Sequence, residues 1–140
     1  MKDTTEELKQ QLLDRQLNPY CGYMRFITFL AFMPAFWYHA WWAIILVAIA
    51  SATNAFWFPA PQSRDHFMTR AILGEMHWHT RASLVQKSIV NFLNLFPVFA
   101  LVWTLWNNML WESVLLASLV LIHRVSLLAY MARLGEEQGA

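Results

Sequence analysis

The sequence has one cysteine, Cys21, so no internal disulfide can form and no thiolate cluster can hold a metal within one chain. Charge is scarce. Charged residues make up 14%, against roughly 25% in soluble domains, which takes the chain out of the ordinary soluble class. No run of lysine and arginine occurs and the net charge is +1, so the electrostatic footprint of a nucleic-acid binder is missing and no nucleic-acid partner is expected. A phosphate-binding glycine loop, a nucleophile elbow and a carboxylate dyad are all lacking, so no catalytic residue is assigned and the chain leans away from enzymes. The first twenty residues are polar rather than an apolar run behind a basic start. The sequence therefore predicts no cleaved leader, and its first apolar segment is expected to stay as a membrane helix.

What the chain does have is long apolar sequence. Hydrophobic residues make up 58%, and the charges between them collect at the N-terminus and in one polar stretch, Asn54 to Arg81. This distribution predicts an all-α integral membrane protein of one domain, with four transmembrane helices as two hairpins joined by a cytoplasmic amphipathic helix. Residues 1–18 are expected to form an N-terminal amphipathic helix, with Leu8, Leu12, Leu13 and Leu17 on one face. Thr5 is its expected N-cap, and Glu6 and Glu7 favour its dipole. Asn18-Pro19-Tyr20-Cys21-Gly22 breaks it. The first hairpin, 22–57, is too long for one span of about 20 residues and suits two short ones, 22–38 and 41–57, divided at Trp37-Tyr38-His39-Ala40-Trp41.

Pro59 and Pro61 end the second helix and open a connector, 58–87. Within it, 65–82 reads as an amphipathic helix with Asp65 or Ser63 as N-cap. Phe67, Ile72 and Trp78 are its expected buried side, and Gly74 is either a weak point or a close contact. The second hairpin, 88–134, divides into 88–106 and 110–134 about Asn107-Asn108, with Gly135 as the expected stop and a short tail beyond.

Charge tests this topology. Lys2, Lys9, Arg15, Arg25, Arg64, Arg70, Arg81, Lys87 and Arg133 fall on or near the side shared by both termini and the connector, and the two short turns opposite have no lysine or arginine. The positive-inside rule then places both termini in the cytoplasm, in a cytoplasmic (inner) membrane. Trp37, Trp41, Trp42, Trp103, Trp106 and Trp111 cluster at those turns as an aromatic belt would.

Polar residues inside the apolar runs are the candidates for function. Arg124 lies about 14 Å inside Arg133 at ~1.5 Å per residue, where a charge costs about 2.5–3.5 kcal/mol unless it faces a partner, a cavity or water. Arg25, Asn54, Asn91 and Asn94 fall in the same half of the membrane. Converging faces would make a cationic pocket open to the cytoplasm, suited to an anionic or lipid-like ligand. Alternatively Glu75 or Asp65 folds over it and the groups form an internal salt-bridge network. The expected ligand-binding set is Arg25, Asn54, Glu75, Asn91, Asn94 and Arg124. Glu75 and His79 share a helical face but His77 does not, so no metal site is assigned, and no cofactor is expected.

Three separated motifs occur in order: Asn18-Pro19-x-x-Gly22-x-x-Arg25, Asn54-x-x-Trp57-Phe58-Pro59-x-Pro61, and Met68-x-x-x-x-Leu73-Gly74-Glu75. Together, over about residues 16–80, they resemble a family of small bacterial and archaeal integral membrane proteins classed as a domain of unknown function. The resemblance implies a membrane protein and marks these residues; it implies no activity. Asn18-Pro19-Tyr20-x-Gly22, with Arg70 and Glu75, is also similar to the hairpin entry and the later arginine and glutamate pair of membrane methyltransferases acting on isoprenylcysteine or phospholipid headgroups. Here Asn18 stands for their histidine and Glu75 alone for their pair. The residues thus predict a small inner-membrane protein that binds an anionic or lipid-like ligand or a partner subunit. The alternatives are an interfacial enzyme with Glu75 or a histidine as general base, and an oligomeric small-solute transporter.

Overall fold

The computed structural model describes residues 2–139, with side chains from residue 7 to residue 137. Six helices make it up: α1 (Lys2–Gln16), α2 (Pro19–Trp37), α3 (Trp41–Trp57), α4 (Phe67–Arg81), α5 (Leu84–Trp106) and α6 (Leu110–Gly139). No strand occurs among the described residues, so the all-α expectation holds. Two helices, α5 and α6, are long and apolar enough to cross a membrane. The sequence predicted four. At 17 residues α3 is apolar but shorter, and α2 carries Arg25, Thr28 and two prolines along its 19 residues.

Asn18 does more than break α1. Its carboxamide oxygen accepts the Tyr20 N–H at 3.0 Å and so caps α2, with Pro19 in the first turn where its missing N–H costs nothing. Its amide nitrogen donates to the Pro59 carbonyl at 2.8 Å, joining the start of α2 to the end of α3. Asn54 does likewise one level further in, donating to the Cys21 carbonyl at 3.3 Å. Asn18→Ala therefore loses a cap and a bond between segments. It is expected to destabilise the fold by about 1–2 kcal/mol, read as a lower melting temperature in detergent.

The connector helix begins at Phe67, and its N-cap is His66, whose Nδ1 accepts the Met68 N–H at 3.2 Å. The expected caps, Ser63 and Asp65, instead bond each other at 2.9 Å. Ile72 is buried as expected, but Phe67 is exposed and Trp78 half-buried; Met68, Thr69 and Ala71 complete the inward face. Leu17, Met68 and Ile72 form one small core, each contributing about 1.5–3 kcal/mol on full burial. Leu8, on the expected apolar face of α1, is exposed. The helix already includes Thr5, while the side chains of Thr5 and Glu6 lie outside the described residues.

α4 runs antiparallel along the last turns of α6. Arg70 lies at Gly135, Gly74 at Met131, and Trp78 packs near Leu127 and Leu128. A Cβ on Gly74 would collide with the Met131 carbonyl, and one on Gly135 with the Arg70 carbonyl. The two glycines thus serve the same purpose one turn apart with the helices exchanged, letting the backbones touch. Arg70 and Glu136 close this pair with an ion pair at 2.8 Å. Gly135 is therefore no stop. α6 continues to Gly139, and the expected tail is helical as far as that residue. The other revised boundary is α5, which starts at Leu84 instead of 88 because Ser83 and Gln86 form a capping box inside the expected connector.

At the opposite end, turns 38–40 and 107–109 are held together. The His39 ring contacts Trp106 edge-on at 4.2 Å between centroids, and its Nε2 lies 2.9 Å from the Trp106 carbonyl. Trp41 adds a second edge contact to Trp106 at 5.1 Å. His39 and Asn108 take positive φ, 51° and 54°, as tight reversals require.

Candidate functional site: a polar waist between two packed tiers

Burial along α6 is interrupted, and along α5 it stops at Leu101. One tier sits near the turns: Ala35, Leu101, Thr104, Leu105, Ser113 and Val120 are buried. The other surrounds α4, where Met68, Thr69, Ala71, Ile72, Met131 and Ala132 are buried. Between them, residues 84–100 of α5 and 121–130 of α6 are all half-buried or exposed.

The inward stripes of both helices cross this waist. On α5 the stripe Leu105, Leu101, Val98, Asn94, Asn91 and Lys87 passes from buried leucines to polar residues. On α6, Ser113, Ala117, Val120, Arg124, Leu128, Met131 and Gly135 succeed one another at helical spacing. Six of these seven are buried or half-buried. Arg124, in their midst, is exposed. Among the described residues it has no ion-pair or hydrogen-bond partner.

Other polar groups lie at this level. Counted from the turns at ~1.5 Å per residue, Arg25, Asn54, Asn94, His123 and Arg124 all fall about 20 Å along their helices. Arg25 and Glu75 pair at 3.5 Å, with their side chains 44% and 47% exposed. His123 Nε2 lies 2.9 Å from Asn94 Oδ1, binding α6 to α5. Phe26, Met76 and Leu128 all pack on the Leu17–Met68–Ile72 core. They are the chain neighbours of Arg25 and Glu75 and the residue one turn from Arg124.

The structure thus brings Arg25 to Glu75, and places Asn94 and Arg124 on facing stripes. It leaves Asn91 exposed at the edge. It takes Asn54 away into the α2–α3 interface, where the amide is buried against Cys21. One residue belongs here that the sequence did not single out as a ligand, His123, which was visible only as a polar residue in an apolar run. Among the described residues, no three His, Cys, Asp or Glu side chains come together.

The three resemblance motifs interlock around α4. Asn18 reaches Pro59, Asn54 reaches Cys21, Gly22 lies against Met68, Arg25 pairs with Glu75, and Gly74 lies against Met131. Most of these residues have a packing or capping purpose; Arg25 and Glu75 are the exposed ones. Comparison with protein-family profiles, with curated proteins and with solved structures gave no match.

Proposed function

We propose that this is a four-span inner-membrane protein that binds an anionic, lipid-like ligand at the polar waist, in the cytoplasmic half of the bilayer. Several features support the membrane reading. In the apolar stretches of α5 and α6 only 17% and 11% of residues are buried within the protein, which favours membrane spans over the core helices of a soluble fold. Trp41, Trp42, Trp103 and Trp111 stand exposed at the turn end, as a belt would. The apolar α3 and the α2 that it pairs with then cross as short spans, near the lower limit of about 17 residues. The cationic connector and both termini take the cytoplasmic side.

The observation that carries the ligand reading is Arg124. A guanidinium on the packed face of a helix, left exposed and unpaired among the described residues, is costly in a membrane unless an anion or water meets it. Arg25 adds positive charge at the same level, and Glu75 pairs with it. Guanidinium groups take phosphate or carboxylate oxygens in charge-assisted pairs. The proposed activity is binding.

Native mass spectrometry of the protein gently extracted in mild detergent tests this. A discrete anionic adduct, retained after neutral lipids are stripped, is expected. Only a broad, non-specific lipid distribution would overturn the reading.

A further inference from the structure

We infer that His66 is a pH-sensitive clasp, and that protonation of its ring uncaps α4 and loosens the connector from the start of α2. His66 Nδ1 accepts the Met68 N–H at 3.2 Å. A ring nitrogen accepts a hydrogen bond only while it carries no proton, so this cap exists in the neutral imidazole alone. In the charged ring both nitrogens are donors, and the Met68 N–H is left facing another N–H. The new positive charge also stands at the N-terminal end of a 15-residue helix, where the dipole opposes it. Ser63 and Asp65, the ordinary capping types nearby, bond each other at 2.9 Å. The task falls instead to the side chain whose charge changes between about pH 5 and pH 8.

The capped turn holds two elements together. The Met68 side chain is buried against Gly22 of α2, and Thr69 donates its hydroxyl to the Leu17 carbonyl at 2.9 Å. From Arg70 onward α4 is held on α6, through the Arg70 and Gly74 backbones and the Arg70–Glu136 ion pair. The segment that opens is therefore 66–69, and the contacts it gives up are those to Gly22 and Leu17. Little around His66 favours the charged ring. From α2 the Tyr23 ring faces it at 6.0 Å between centroids and 85°. In the connector Arg64 adds like charge, and the Asp65 carboxylate is engaged by Ser63. On α4 itself Arg70 lies one turn on. Among the described residues no carboxylate pairs with His66. The capped turn thus binds fewer protons than the open one, and its stability falls as pH falls through the histidine range.

The test is hydrogen exchange of the Met68 and Arg70 amides, the latter bonded to the His66 carbonyl at 3.0 Å. Wild type, His66→Asn and His66→Asp are compared in detergent at about pH 7.5 and about pH 5.5, either side of the histidine range. Asn and Asp are good caps whose side-chain oxygen still accepts at both values. The ratio of wild type to variant at one pH cancels the intrinsic pH dependence of exchange. That ratio is expected near one at the higher pH and to rise about 3- to 30-fold at the lower, the scale of one lost cap. Melting temperature at the higher pH checks folding. Either variant suffices, and in wild type alone the Leu128–Met131 amides of α6 serve as an internal reference. A ratio that stays constant between the two pH values overturns the clasp. Equal acceleration in the variants also overturns it, because the titrating group then lies elsewhere.

Discussion

Gly74→Leu is expected to abolish the folded protein. α4 and α6 meet backbone to backbone, and the obstacle to a side chain at Gly74 is the Met131 main-chain carbonyl rather than the far end of a flexible side chain. Overpacking against movable side chains costs about 1–3 kcal/mol. Here a backbone must shift, so the cost should lie at or beyond the top of that range. Separation of the helices would also strain the Arg70–Glu136 ion pair and uncover Ala71, Met131 and Ala132. The expected result is loss of the monodisperse peak in size-exclusion chromatography. Gly74→Ala should retain a peak with a clearly lower melting temperature. An unchanged melting temperature in Gly74→Leu would mean that the two helices do not meet at this crossing.

Arg124→Gln is expected to leave the fold intact and remove the ligand. The side chain is exposed and has no partner among the described residues, so little packing depends on it. Loss of a charge could even favour the protein within a bilayer. A hydrogen bond to a charged group is worth about 1.5–3 kcal/mol, so removing it should weaken anion binding by about 10- to 100-fold. Arg124→Lys keeps the charge but not the planar fork, and intermediate binding is expected. Titration with a short-chain phosphatidic acid, beside a melting curve, separates the two effects. A collapsed melting curve with Gln would assign Arg124 to structure instead.

Much of this fold was legible before the structure, for physical reasons that differ by element. The divisions at 38–40 and 107–109 were clear because polar and aromatic residues interrupt the apolar runs there, and α3 falls where expected. Gly135 was misleading because one residue type serves two purposes. Glycine ends helices, and it also lets two helices touch; only the antiparallel partner, Gly74, reveals which applies. The start of α5 was written in Ser83 and Gln86, a capping box inside the stretch assigned to the connector. His66 as a cap and His39 as a tie between turns depend on tertiary placement, which histidine spacing does not encode.

The site was legible in part. Arg25, Asn94 and Arg124 were marked by their cost inside apolar sequence, and Glu75 as a connector acid that could fold over them. Asn54 was marked by the same cost, yet it meets that cost with a bond to the Cys21 carbonyl. A sequence shows that a buried polar group needs a partner, not whether the partner is backbone or ligand. The connector's role changed in a similar way. It reads as a cover over the polar groups, but its helix is pinned against α6.

Cysteine accessibility tests the central claim, that Arg124 faces a polar gap open to the cytoplasm. Cys21 is fully buried and serves as a silent background thiol. Arg124→Cys and Ser126→Cys would be made separately, since Ser126 is exposed on the opposite face of α6 and should meet lipid. Thiols react as thiolates, which need water. A membrane-impermeant maleimide is predicted to label Arg124→Cys in inside-out vesicles and not in intact cells, and to leave Ser126→Cys unlabelled in both. Labelling of Ser126→Cys with Arg124→Cys untouched would contradict the account and place Arg124 against lipid or packed protein.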